Sequence, residues 1–202
     1  SRSYHRFFEG FTEKEQVDEN GKRTINRLYT GEYYRPGISE EERQKHKIFN
    51  VLLYLIAIVG YGGAAVQRVP INSVWYIALI QSLVLVSFLW LLWPLYYYLV
   101  SKQKMTVRGY KDSSLRLQYV SICSALLLEG VALLSILYLM TENSAMAIKS
   151  SFAAAGYAVS GLSLFVMFLY EKRVPYLTME NPAKKTEKGA VSYTHLTLPT
   201  IR

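Results

Sequence analysis

Four long apolar runs, at about residues 48–66, 74–100, 117–140 and 147–170, constrain this 202-residue chain more than any other feature. At about 1.5 Å of rise per helical residue, each run covers or closely approaches the roughly 30 Å hydrocarbon core of a bilayer. Lipid offers no hydrogen-bond partner to an unpaired backbone group, so runs this long and this uniformly apolar are expected as helices rather than barrel strands. The fold class that follows is an all-α membrane protein. It is a four-transmembrane-helix bundle over residues 39–172, with a small cytoplasmic N-terminal region (1–38) and a cytoplasmic tail (173–190).

Basic residues flank these runs unequally. Arg43, Lys45 and Lys47 precede the first; Lys102, Lys104, Arg108, Lys111 and Arg116 separate the second and third; Lys172, Arg173, Lys184, Lys185 and Lys188 follow the fourth. The other two connections carry only Arg68 and Lys149. An even number of spans puts both termini on one side, and the positive-inside bias makes that side the cytoplasm. Residues 67–73 and 141–146 then face outward. Trp75 and Tyr76 fall at the outer end of the second span, and Trp90, Trp93, Tyr96, Tyr97 and Tyr98 toward its inner end. Tyr170 marks the inner end of the fourth, as an aromatic belt requires. Pro94 lacks a backbone donor and clashes with the preceding turn, so a kink or a helix end is expected there, with residues 95–100 along the inner interface.

The formal net charge of +8 would suggest nucleic acid in a soluble protein. The excess lies beside the spans on one side, which is better explained by topology and attraction to anionic lipid headgroups; nucleic-acid binding is not expected. The single cysteine, Cys123, excludes an intrachain disulfide and is expected as a small packing residue inside the third span.

The N-terminal region carries local signals of its own. Asn20-Gly21 tolerates the positive φ angles of a two-residue hairpin turn, and pairing about it sets Asp18 opposite Arg23 and Glu19 opposite Lys22. Neither face of such a hairpin is strongly apolar. Phe7, Phe8, Phe11, Tyr29, Tyr33 and Tyr34, or a partner, are needed to hold it, unless those rings lie on the lipid surface. After Pro36-Gly37, the pattern Ser39-Glu40-Glu41-Glu42 is a capping box, which starts the first helix near Glu40. The chain does not begin with Met, and residues 191–202 resemble the read-through tails of metagenomic assemblies. That stretch is expected to be non-native and is set outside the fold argument. It points, with the lack of a targeting segment, to a bacterial source.

Glu129 stands alone near the middle of the third run, where an ionised acid costs roughly 2.5 to 3.5 kcal/mol. It is expected to face protein and, because desolvation disfavours the carboxylate, to rest protonated. It lies on a stripe of Gln118, Ser121, Ala125, Ala132 and Ile136. Matching small-residue stripes run along the fourth run (Ala153, Gly156, Ser160, Ser163) and the first (Ala57, Gly60, Ala64), a pattern that lets helix backbones approach closely. Counted inward from each interface, Ser160 and Tyr157 come level with Glu129, and Gln81 a turn further out, making these three its expected hydrogen-bond partners.

No residue set points to a catalytic site, a cofactor or a metal. His5, His46 and His195 are scattered through the flanks and expected to be solvated. Gly60-Tyr-Gly-Gly63 superficially resembles a selectivity-filter run but continues an unbroken helical pattern. The expectation is a non-enzymatic structural or accessory component of the bacterial cytoplasmic membrane, whose cytoplasmic segments recruit a protein partner or a second copy. The alternative is a small transporter or channel subunit with Glu129 as a proton or cation site.

Overall fold

Ser39 opens the first helix as the capping box requires: its hydroxyl accepts from the Glu42 amide at 3.2 Å, while the Glu42 carboxylate accepts from the Ser39 amide at 3.1 Å. The computed structural model describes residues 8–17, 21–142 and 145–184. It is mostly helical, with four helices long and apolar enough to span a membrane, plus two small sheets. The chain divides into two units. One holds the long helices (37–101 and 111–175), the other the strands (1–36, 102–110 and 176–202).

In the helical unit, α1 (Glu40–Ala65) is followed by a short 3-10 turn and α2 (Trp75–Val100). Beyond α3 (Val107–Tyr110), a four-residue turn of the strand unit, a π turn over Lys111–Leu115 leads into α4 (Arg116–Thr141), and α5 (Ala147–Lys172) follows. Each long helix has 26 residues, about 39 Å at the standard rise. Helix α5 packs on both α1 and α4, α4 packs on α2, and α2 also touches α1. Small residues set the α1–α5 contact. A Cβ added to Gly60 would stand 3.0 Å from the Gly156 carbonyl oxygen, and one on Gly156 would stand 3.0 Å from the Ala64 Cβ. Ser160 and Ser163 tie the same helices by donating to the Ala57 and Leu53 carbonyls, each at 2.6 Å. Both stripes read from the sequence thus meet one another.

One helical expectation is narrowed and one is corrected. Of the two outcomes expected at Pro94, a kink or a helix end, the end does not occur: α2 runs through to Val100, and Pro94 is itself buried among neighbouring helices, the setting in which a lost backbone bond is tolerated. The packing face of α4 is broader than the stripe through Glu129. Leu117, Val120, Ser124, Leu128, Val131 and Ser135 are buried as well, because α4 lies between α5 and α2, whereas Ile136 is exposed.

In the strand unit, β1 (Phe11–Val17) and β2 (Arg23–Tyr29) form the antiparallel hairpin, while β4 (Met105–Thr106), β3 (Tyr33–Pro36) and β5 (Tyr176–Met179) form a three-stranded sheet in that order. The hairpin register differs by one residue from the expected one: Arg23 pairs with Val17, not Asp18. That register leaves an odd number of loop residues. A two-residue turn cannot close it, whereas a longer loop with glycine in the left-handed region can, and Gly21 has φ 73°. Asp18, Glu19, Asn20, Phe7 and residues 191–202 lie outside the described residues.

Aromatic rings supply the apolar material that the hairpin itself lacks. Phe8 meets Phe11, Phe11 meets Tyr29 at 5.2 Å, and Tyr29 meets Tyr33 at 5.1 Å between ring centroids. Tyr34 stacks on Tyr110 at 4.6 Å, and Tyr110 packs on Tyr176. Tyr29 joins the two sheets of this unit. Its hydroxyl donates to the Glu32 carbonyl at 2.6 Å and accepts from the Val107 amide at 3.0 Å, while its carbonyl accepts from Asn181. Burial raises the Tyr29 hydroxyl above its ordinary pKa, against a smaller lowering from the Val107 amide.

Candidate functional site

Glu129 lies on the α4 surface that faces α5, where Gly161 leaves room for it: a Cβ at Gly161 would overlap the Glu129 carboxyl group. Its Oε1 is buried and has no hydrogen-bond partner among the described residues. The three partners expected for it are engaged elsewhere. Ser160 donates to the Ala57 carbonyl, and Tyr157 and Gln81 belong to a separate network. Equal depth is not sufficient for contact, because Tyr157 and Ser160 sit on the faces of α5 turned to α2 and α1, whereas Gly161 faces α4.

That separate network gathers at the Asn72 end of the helical unit. Tyr157 donates to Asn72 Oδ1 at 2.7 Å, and Gln81 Nε2 donates to Asn72 Oδ1 at 2.9 Å and to the Tyr157 hydroxyl at 2.8 Å. Asn72 Nδ2 donates in turn to the carbonyls of Ala64 and Gln67, each at 2.9 Å, and Tyr61 donates to the Gln81 carbonyl. Asn72 therefore adds a side-chain donor to carbonyls at and just beyond the end of α1, which also accept from the Gln67 and Val69 amides. The network is a helix-end closure in which the side-chain donors and acceptors satisfy one another.

At the opposite end a second cluster was not anticipated from the sequence. Arg43 and Lys47, expected among the basic flank, are only 2% and 6% exposed, and Asn50 is fully buried. Lys47 Nζ donates to the carbonyls of Leu99 and Ser101 at 2.9 and 2.8 Å, and Arg43 donates to the Ser101 hydroxyl at 2.6 Å. Asn50 donates to the Tyr98 hydroxyl, over whose ring the Arg43 guanidinium lies at 5.5 Å. Two cations thus meet the carbonyl end of α2, where the helix dipole is negative. The signal is present in the sequence: Arg43, Lys47, Asn50, Tyr54, Ala57 and Ala64 follow the i, i+4, i+7 spacing of one buried helix face.

A second buried acid also escaped sequence reasoning. Glu171, 1% exposed at the end of α5, accepts from the Ser114 hydroxyl of the π turn at 2.7 Å. Its place beside Lys172 and Arg173 makes it look like ordinary interfacial flank. His46, expected to be solvated, stacks its ring on Tyr170 at 4.3 Å, while His5 and His195 lie outside the described residues. Cys123, expected as a packing residue, is exposed, because Ser124 and Ala125 take the inward positions beside it.

These polar groups hold helices to one another and close their ends; Glu129 differs from them in lying near the middle of a long apolar helix with its buried Oε1 unpartnered. No known family model matches the chain, and no curated protein or solved structure is detectably similar to it.

Proposed function

We propose that this chain is a multi-pass protein of the bacterial cytoplasmic membrane, with both termini in the cytoplasm, acting as a non-enzymatic structural or accessory component. The observation that carries the topology is the sheet of β4, β3 and β5. Its strands come from before α1, from between α2 and α4, and from after α5, the same ends of the apolar runs beside which the basic residues gather. Strands that pair must share one side of a bilayer, and an even number of spans is what returns all three to it. The outer surfaces of the helices fit lipid. Val59, Leu89, Leu126, Ile148 and Phe152 are all more than 60% exposed, an apolar display that soluble monomers rarely carry. Trp75 and Tyr96 are exposed near opposite ends of α2, where aromatic belts would lie.

The recruiting element in this reading is the β1–β2 hairpin, which exposes Val17, Ile25 and Leu28. The topology is tested with single cysteines at Arg68, Ala145, Glu15 and Lys102 in a Cys123→Ala background. An impermeant thiol reagent applied to intact cells should label the first two sites alone. Labelling of Glu15 or Lys102 would reverse the orientation, and labelling of all four in a soluble fraction would end the membrane reading.

A second reading, a small transporter or channel subunit, is favoured by one observation, the unpartnered buried oxygen of Glu129. Intramembrane acids are functional candidates by default. Proton or cation flux in proteoliposomes that is lost in Glu129→Gln would establish it; equal flux in both proteins would remove it.

A further inference from the structure

A cavity of about 400 Å³ opens on the side of the helical unit between α2 and α4, at the end where the π turn enters α4. Trp90, Leu115, Tyr119 and Cys123 line it with almost wholly apolar surface, while Lys111 and Arg116 supply its charged rim. Arg116 and Cys123 are seven residues apart, so the groove descends about 10 Å along α4 from its cations to its thiol. Trp90, Tyr119 and Cys123 are themselves exposed, which leaves the groove open to the side.

We propose that this cavity seats one anionic phospholipid, with its phosphate at the Lys111–Arg116 rim and an acyl chain along Trp90, Leu115 and Cys123. The inference rests on the membrane reading above and goes beyond it by assigning a site. The shape is amphipathic in the sense a lipid requires: cations at one end and a continuous apolar trough below them. Basic pockets between helices on the cytoplasmic side are the usual seats of anionic headgroups. Asp112 holds the Arg116 guanidinium by an ion pair at 3.1 Å. A guanidinium carries five N–H donors, so that contact leaves donors for a phosphate and fixes the direction in which they point. The three groups sum to one net positive charge, which favours an anionic headgroup over a zwitterionic one.

The test is native mass spectrometry of the full chain, purified from carbonate-washed membranes in a non-ionic detergent, with added phosphatidylglycerol or phosphatidylcholine of identical chains. One phosphatidylglycerol should be retained with roughly fivefold preference, the factor contributed by one net cation near an anionic surface. The preference should fall to parity or below in Lys111→Gln/Arg116→Gln. Cys123→Trp, which fills the trough without changing charge, should lower retention of both lipids. Equal retention of the two lipids by the wild type, or undiminished preference in the double variant, would overturn the site. So would displacement of the bound lipid by soluble glycerol phosphate, which would reduce the binding to its cations. Recovery of the chain in the carbonate supernatant would instead defeat the membrane reading on which the site depends.

Discussion

Lys47 illustrates how a charged side chain becomes structural once its partners are identified. Its ammonium group lies within 2.9 Å of two carbonyls at the end of α2, which have no helical donor of their own. Hydrogen bonds from charged groups contribute about 1.5–3 kcal/mol, and Lys47→Met removes two while leaving both carbonyls orphaned. A loss of roughly 2 kcal/mol against SDS-induced unfolding in mixed micelles is expected, whereas Lys45→Met, at an exposed neighbour, should be neutral within about 0.5 kcal/mol. Glu129 calls for a coupled test. Gly161→Ala forces its carboxyl to move and should cost about 1 kcal/mol by overpacking, and a double-mutant cycle with Glu129→Ala should remove most of that cost. Tyr29 contributes a pH dependence. Its folded pKa is raised above 10.0, so its stabilisation is complete below that value and is lost as pH rises through the higher folded pKa. Proteolytic protection of the strand unit should therefore hold at neutral pH and fall on the alkaline side. Tyr29→Phe should lower it by about 1–2 kcal/mol at neutral pH and abolish the alkaline step. The inward turn of Arg43 and Lys47 was legible in their spacing, but charge beside a span reads first as flank. The packing of Glu129 against Gly161 was not legible, because depth along a helix says nothing of which face meets which.

At the scale of elements, the four long helices were readable almost to their ends, since lipid-length apolar runs and one capping box leave little else to form. The hairpin was readable as an element but not in register, because a slip of one residue depends on loop length rather than on composition. The sequence left open whether α2 would end at Pro94 or pass through it, for the burial that tolerates its passage is tertiary. The small-residue stripes marked helices that could approach closely without saying which would pair; the stripes of α1 and α5 meet, and they separate two kinds of glycine. A side chain at Gly60 runs into the Gly156 backbone, whereas one at Gly62 meets nothing within 4 Å. Gly60→Val should therefore part α1 from α5 and cost about 2 kcal/mol, the range of core overpacking. Gly62→Val, of identical composition, should leave the unfolding midpoint within error. Similar losses in both variants would show that helix propensity, and not close approach, makes Gly60 necessary.

Over the whole molecule, the least legible feature is the one on which the proposed topology rests. Strands β3, β4 and β5 have four, two and four residues, too short for any periodic signal, and β3 finds partners some 70 and 140 positions away in the chain. Such a sheet cannot nucleate alone, because closing loops of that size costs more than a few ladder bonds return. It becomes affordable if the spans have already delivered the three segments to one side. Insertion would then precede sheet formation and would not depend on it. A chain lacking residues 1–36 should accordingly reach the membrane with its spans in the same orientation, while Met105–Thr106 and Tyr176–Met179 lose the central strand that pairs them. In inverted vesicles, where the cytoplasmic face is outward, protease should then cut near Lys104 and near Met179 several-fold faster than in the full chain. The helices between those cuts should stay protected. If the shortened chain fails to insert, the strands guide the spans and the order of events is the reverse.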